Sequence, residues 1–275
     1  MVIIGRGKVG QSLSQLFTLL DYQVDNVGRN RSKQVAAVIE ADITVICVDD
    51  GSIEGVCEAL ASSFKKGSIV CHCSGALDSS ILKSARQRDC LVASCHPLNT
   101  FPSISLSLQR FASTSHNSYM YCEGDAAALS VLLPLFERTG FNNMCIQRQA
   151  KPLYHAACVF ASNYLISLMD MSLEAASKAG LEKQSFWLSL QPLIQSTIEN
   201  ITANGTAGAL SGPIARGDHA TVKSHTLALD EHSDSLKLSY AELGMRALEI
   251  AIESGQLSAD DIERLRSALD TRTKG

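Results

Sequence analysis

The sequence predicts an α/β protein: a doubly wound, mostly parallel sheet in residues 1–148, then an all-α domain in residues 149–275. Three observations carry this. The chain opens Met1-Val-Ile-Ile-Gly5-Arg-Gly7-Lys-Val-Gly10, a short apolar run that ends in a glycine-rich turn and passes straight into a helical pattern. Up to about residue 148, β-branched apolar runs alternate with helical periodicity, the signature of parallel strands joined by crossover helices. From residue 149 onward only helical spacing remains.

The elements follow in order. A strand over 1–4 feeds a helix over 11–20. Further strands are expected at 22–27, 42–48 (DITVICV), 67–73 (GSIVCHC) and 90–95 (CLVASC), with helices at 53–64 and 79–86. Residues 102–118, rich in Ser and Thr, read as a loop. A strand at 119–123, a helix at 126–138 and a short strand at 144–147 complete the sheet. The second domain holds helices over 151–179, 184–203, 221–230, 232–253 and 259–271. Gly180 and Gly205 are placed as helix C-caps and Ser258 as an N-cap followed by acids.

Composition narrows the function. With 45% apolar and 19% charged residues, the chain has the balance of a soluble globular protein. A net charge of -4, with no block of like charge, argues against nucleic acid and against an anionic membrane as partners. No apolar run is expected to reach the roughly 18 residues of a membrane span. The first residues already read as a strand, not as a secretory leader. The nine cysteines are odd in number and sit mostly inside apolar runs, as reduced thiols of a cytoplasmic protein would. Cys71-His72-Cys73 and Cys95-His96 give no metal site, because alternate strand residues face opposite sides and no C-x-x-C spacing is present.

Gly5, Gly7 and Gly10 complete a G-x-G-x-x-G between strand and helix, the dinucleotide fingerprint of a Rossmann sheet, with Arg6, Lys8 and Val9 inside it. Gly5 permits the tight turn, Gly7 lets the backbone approach a pyrophosphate, and Gly10 lets helix pack on strand. The anion then meets free N–H groups at a helix N-terminus. An NAD site carries Asp or Glu about 20 residues further on, to hold the ribose hydroxyl. Gly28-Arg29-Asn30-Arg31-Ser32 stands there instead. The guanidiniums of Arg29 and Arg31, with Asn30 and the Ser32 hydroxyl, suit a 2′-phosphate, so the expected cofactor is NADP. In such sheets ligands lie at the carboxyl ends of the strands, which places Val48, Asp49, Ser74, Gly75, His96 and Phe101 along the cleft.

The segment Lys151-Pro-Leu-Tyr-His155-Ala-Ala-Cys-Val-Phe-Ala-Ser162-Asn163 puts Lys151, His155 and Ser162 on one stripe of a helix that is apolar elsewhere, with Asn163 off its edge. A Lys and a His there need a partner or a purpose. Reduction by hydride leaves a negative heteroatom that must be protonated, and Lys151 or His155 is placed to supply the proton, with His96 orienting the substrate. Ser162, Asn163 and Phe101 are assigned to the substrate. Arg216, in Ser211-Gly-Pro-Ile-Ala-Arg216-Gly-Asp218, is assigned to a substrate carboxylate, or else to pairing with Asp218.

These segments, GRGKVG, the arginine-bearing NRS, HCSGAL, HPLNTF, KPLYHAACVFASNYL and LSGPIARGD, resemble in that order a family of Rossmann-like proteins with a C-terminal helical domain of unassigned function. The layout is similar to that of pyrroline-5-carboxylate reductase, ketopantoate reductase, 3-hydroxyisobutyrate-type dehydrogenases and deazaflavin-dependent NADP reductases. The resemblance implies an NADP domain, a helical domain that forms a homodimer, and a Lys or Asn on the first long C-terminal helix that meets the substrate. Lys151 fits that place. One turn later, where the hydroxyacid dehydrogenases carry Asn, this chain has His155. The HPL triplet at His96 is similar to the HPM of prephenate dehydrogenases. The expectation is therefore an NADP-dependent oxidoreductase acting on a small carbonyl, imine or hydroxy-acid in a cleft between the domains. The alternative is a non-catalytic NADP-binding sensor or interaction protein on the same scaffold.

Overall fold

The computed structural model describes residues 1–101, 118–255 and 257–271. The chain divides into two compact bodies, Met1–Asn163 and Tyr164–Gly275. The first long helix after the sheet, Lys151–Ala161, belongs to the sheet-containing body.

In the first body, seven strands form one sheet: β1 (Val2–Ile4), β2 (Asp25–Val27), β3 (Ile43–Ile46), β4 (Ile69–His72), β5 (Leu91–Leu98), β6 (Ser118–Gly124) and β7 (Phe141–Cys145), in the order β2-β1-β3-β4-β5-β6-β7. The first five are parallel, β6 runs antiparallel to β5, and β7 is parallel to β6. Strand alternation divides the core in two. Ile3, Val45, Cys71, Ala93 and Cys95 face one way, against α1 (Lys8–Leu19) and α5 (Ala126–Arg138) through Leu13, Phe17, Leu132 and Phe136. Val2, Ile4, Ile46, Val70 and Val92 face the other way, against α2 (Arg31–Val38), α3 (Asp50–Leu60) and the short α4 (Lys83–Arg86) through Val38, Ile53, Cys57, Leu60 and Ala85.

The helix α2 was not anticipated. Its eight residues hold few apolar positions, and its start is set by Asn30, whose side chain accepts the Lys33 N–H at 3.0 Å. The single helix expected over 151–179 is two helices, α6 (Lys151–Ala161) and α7 (Asn163–Lys178), which break at Ser162 with φ -121° and ψ -68°. The stretch Arg148–Lys178 is nevertheless long and apolar enough to cross a membrane by length and composition, which corrects the expectation that no run reaches that size. Of the Ser/Thr-rich loop expected over 102–118, residues 102–117 lie outside the described residues, and Ser118 already begins β6.

The second body is helical: most of α7, then α8 (Lys183–Ala209), α9 (His219–Asp230), α10 (Asp234–Glu253) and α11 (Ala259–Leu269). Ile214, Val222, Leu248, Ala251, Leu265 and Leu269 make its core. Gly244 brings α10 close to α11: a Cβ there would lie 2.6 Å from the tip of the Leu269 side chain. Ser258 caps α11 in a reciprocal box with Asp261, as the sequence indicates. Gly205, with φ 69° and ψ 176°, stands at a kink where one helix ends and the next begins within α8, the C-cap place the sequence indicates.

Candidate functional site

The glycine turn is held from three sides. Gly5 N–H donates to the Val27 carbonyl at 2.8 Å, and Cys47 N–H donates to the Ile4 carbonyl at 2.7 Å. Asn26 Nδ2 reaches across to the Gly10 carbonyl at 3.1 Å. Gly5 has φ +120°, and a Cβ on it would fall 2.1 Å from the Cys47 carbonyl oxygen. A Cβ on Gly10 would fall 2.3 Å from the Gly5 carbonyl oxygen. Gly7 is different: a Cβ there would meet nothing within 4 Å. Gly7 is also the N-cap of α1, and no side chain caps that helix. The first-turn N–H groups of α1 therefore open onto free space at the positive end of the helix dipole. This arrangement fits the pyrophosphate of a dinucleotide. Lys8 is exposed beside it and Val9 packs inward.

Arg6 turns away from that space. Its Nε and Nη2 donate to the Asn26 carbonyl at 3.3 and 3.1 Å. At the end of β2, Arg29, Asn30 and Ser32 are exposed and Arg31 is half-buried at the first turn of α2, so the cations expected to read a 2′-phosphate surround a helix N-terminus. Gln34 fixes the turn by donating to the Gly28 carbonyl at 2.8 Å. Val48 is half-buried, and the exposed Asp49 caps α3 without a side-chain bond.

The polar centre of this body lies beyond β4 and β5. Ser74 Oγ donates to Asp50 at 2.8 Å and accepts from the Ala76 and Leu77 N–H groups, so it shapes the turn that contains Gly75. His72 is wholly buried. Its Nδ1 accepts the Ser74 N–H, so its Nε2 carries the proton and donates to the Asp78 carbonyl at 3.1 Å. Burial pushes its pKa down to about 4.

Lys151 has no exposed surface. Its ammonium donates to the Ser74 carbonyl at 2.7 Å and to the Ser94 hydroxyl. Burial holds its pKa below the usual lysine value, and Glu123 acts against that. The expectation that Lys151 hands a proton to substrate does not fit these contacts. The side chain ties the start of α6 to the ends of β4 and β5.

One turn along α6, His155 is set against Gly75. A Cβ on Gly75 would lie 2.5 Å from His155 Nδ1 and 3.0 Å from His96 Cε1 and Nε2, so glycine is what lets the two rings converge. His155 Nδ1 is buried and has no hydrogen-bond partner among the described residues. The two imidazoles are edge-to-face, with centroids 5.9 Å apart. His96 Nδ1 pairs with the Tyr154 hydroxyl at 2.8 Å, and Tyr154 lies against Tyr121 with centroids 4.6 Å apart. Burial, followed by the nearby Lys151 and His155, pushes the His96 pKa down to about 4, so His96 is neutral near pH 7. Burial, followed by a contact with Cys158, also raises the Tyr154 pKa above the ordinary tyrosine value, so the hydroxyl stays protonated beside the neutral His96.

The structure thus brings together His96, His155, Gly75 and Ser74 of the expected site. The sequence reading missed Tyr154, Ser94, Asp50 and His72. Tyr154 stands three residues after Lys151, a spacing that shares a helix face as well as the four-residue spacing of His155 does. Phe101 and Ser162 are half-buried, and Asn163 is exposed at the start of α7. Arg216 belongs to the second body, exposed in the turn before α9, where Asp218 is drawn to Thr221 as helix cap by 3.0 and 2.7 Å bonds.

Residues 21–97 match a Rossmann-like domain, and residues 118–247 match a domain of unknown function, DUF2520. The chain joins a Rossmann-like domain to a DUF2520 domain. The DUF2520 match begins inside the sheet, at β6, and includes Lys151, Tyr154 and His155. No curated protein matches the sequence. Among solved structures, a Thermotoga maritima protein is 21% identical with a TM-score of 0.69, covering 93% of this chain and 99% of its own. A Bacteroides fragilis protein described as a candidate NADP oxidoreductase is 16% identical with a TM-score of 0.71, covering 90% of this chain and 97% of its own. An imine reductase from Myxococcus stipitatus, in complex with NADP+, is 13% identical with a TM-score of 0.65, covering 96% of this chain and 98% of its own. At these identities the likeness establishes the fold.

Proposed function

We propose that this protein is an NADP-dependent oxidoreductase acting on a small carbonyl, imine or hydroxy-acid substrate. The observation that carries the reading is Gly7: the middle glycine of the fingerprint opens onto free space at an uncapped helix start, while Gly5 and Gly10 are packed tight. The fold shared with the NADP-bound imine reductase supports it. Gly5, Gly7, Lys8, Val9 and Gly10 hold the pyrophosphate, Arg29, Asn30, Arg31 and Ser32 read the 2′-phosphate, and Val48, Asp49, Ser74 and Gly75 line the remainder. Arg6 supports the turn from behind.

The cofactor supplies the hydride. The chain's own residues manage the proton. In this reading His96 offers Nε2–H to the substrate heteroatom as a neutral imidazole donor, and the Tyr154 hydroxyl, bonded to Nδ1, fixes that tautomer and the ring's orientation. His155 faces the same glycine and orients the substrate. Lys151 sets the height of both α6 residues through Ser74 and Ser94. His96→Phe and Tyr154→Phe are predicted to lower NADPH oxidation by about 10²–10⁴-fold across a panel of small ketones, 2-oxo acids and cyclic imines, with NADPH affinity unchanged. Undiminished turnover in both variants would remove this mechanism.

The tied-off Lys151 favours one second reading: a module that binds NADP without transferring hydride. NADPH binding with no turnover on any panel member would select it. The free state of all nine cysteines fits a reducing compartment such as the cytoplasm. In the second body Ile166, Leu188 and Leu193 are each more than 60% exposed, apolar side chains that suit a homodimer of this chain, which a sedimentation mass of two chains would support.

A further inference from the structure

Five cysteines gather on the α1 face of the sheet, and they differ in what they can do. Cys71, Cys95 and Cys122 are fully buried. The Cys95 thiol is pushed well up by its contacts with Cys122 and Cys71 and by burial, and it keeps its proton. Cys57 and Cys90, on the opposite side, are buried as well. Cys47 and Cys73 are each only half-buried, and their sulfurs are 3.5 Å apart.

The backbone puts this pair in reach of a covalent bond. β3 and β4 are parallel with Ile46 opposite His72, so the next residues, Cys47 and Cys73, are cross-strand neighbours on one face. Neighbouring strands lie about 4.8 Å apart, inside the range of Cα separations that disulfides span. Closing to a bond of about 2.05 Å requires the sulfurs to approach by about 1.5 Å. Cys47 donates its S–H to Cys73; that contact, followed by burial, pushes the Cys47 thiol well up, so Cys47 keeps its proton and the Cys73 sulfur is the first to attack.

Cys47 is also the wedge under the glycine turn. Its carbonyl oxygen lies 2.1 Å from where a Gly5 Cβ would be, and its Cβ lies 3.2 Å from where a Gly10 Cβ would be. Cys47 N–H is bonded to the Ile4 carbonyl just before the turn, so drawing Cys47 toward Cys73 disturbs the packing against both glycines.

We propose that Cys47 and Cys73 are an oxidation site for hydroperoxides, whose disulfide distorts the glycine turn and weakens dinucleotide binding; the second half rests on the NADP reading. In the first step the Cys73 sulfur attacks the peroxide, the O–O bond breaks, Cys73 becomes a sulfenic acid, and the departing hydroxide takes the Cys73 proton to leave as water. In the second step the Cys47 sulfur attacks the sulfenic sulfur, the S–O bond breaks, and the Cys47 proton leaves with the hydroxyl as a second water. Two thiols and one hydrogen peroxide give one disulfide and two waters.

The test treats the full chain with hydrogen peroxide, with and without NADPH. Peptide mapping should find Cys47 joined to Cys73, dithiothreitol should reverse the link, and bound NADPH should slow its formation. NADPH affinity of the oxidised protein should fall about tenfold or more and recover on reduction. Cys73→Ser and Cys47→Ser should each abolish the peroxide response. Oxidation of exposed Cys145 with no Cys47–Cys73 link overturns the site, and a complete link with unchanged NADPH affinity overturns the coupling. Failure of the reduced protein to bind NADPH overturns the coupling together with the cofactor reading, while the peptide map still decides the thiol pair.

Discussion

Substituting Gly75 by alanine tests the geometry of the candidate site without knowledge of a substrate. Gly75 does not have a positive φ, so its backbone accepts alanine, and the effect of the change is the contact it makes. The new methyl would lie 2.5 Å from His155 Nδ1, against an unstrained separation of about 3.5 Å, so the imidazole must retreat by about 1 Å. The His96 contact, at 3.0 Å, requires about half that movement. Overpacking of this kind costs about 1–3 kcal/mol. Removing His155 removes the worse of the two clashes. Gly75→Ala should therefore cost about 1 kcal/mol less in a His155→Ala background than in the parent. The entropy that alanine removes from the unfolded chain is the same in both backgrounds and cancels. Equilibrium urea denaturation of the four proteins, without cofactor, gives the coupling. Equal costs in the two backgrounds would mean that His155 does not sit on Gly75, and the proposed convergence of the rings would be lost.

Two further predictions concern charge. His72 is held neutral with a pKa of about 4, whereas in the unfolded chain it titrates near 6.5. Above pH 6.5 it is neutral in both states and its contribution is intact. As pH falls from 6.5 toward 4 the unfolded chain takes up the proton first, so stability drops, by about 3 kcal/mol from this residue. Parallel stability–pH curves for the parent and His72→Gln would contradict this. Replacing Arg29 and Arg31 together by alanine should weaken NADPH by about tenfold or more while leaving NADH unchanged, read by fluorescence titration. An equal loss for both nucleotides would mean that these arginines do not read the 2′-phosphate.

The opening strand, the glycine turn and the alternation of the sheet were legible because each has a local cause. Gly5 and Gly10 sit where a Cβ collides with backbone, and Val45 and Ile46 face opposite sides because strands alternate. Ser258 announced its capping box for the same reason. What the sequence hid depends on tertiary contact. Helix α2 lacks a strong apolar stripe, and its start rests on one Asn30 bond. The antiparallel β6 follows a connection whose course no local pattern reveals. Lys151 was found as an anomaly on an apolar helix, but its partners, Ser74 and Ser94, lie 77 and 57 residues away in the chain. Tyr154 was hidden by the opposite circumstance: an aromatic residue on an apolar helix attracts no notice until His96 is placed against it.

Gly7 gives the most direct test of the central claim. Its φ is -71°, and its missing Cβ faces empty space, so Gly7→Val should lower the melting temperature by only a few degrees, the cost of a poorer N-cap, while filling the place where the pyrophosphate would lie. Calorimetric titration should show NADPH binding to the parent protein and no measurable binding to Gly7→Val. An absence of heat from the parent, or equal affinity in the variant, would contradict the account.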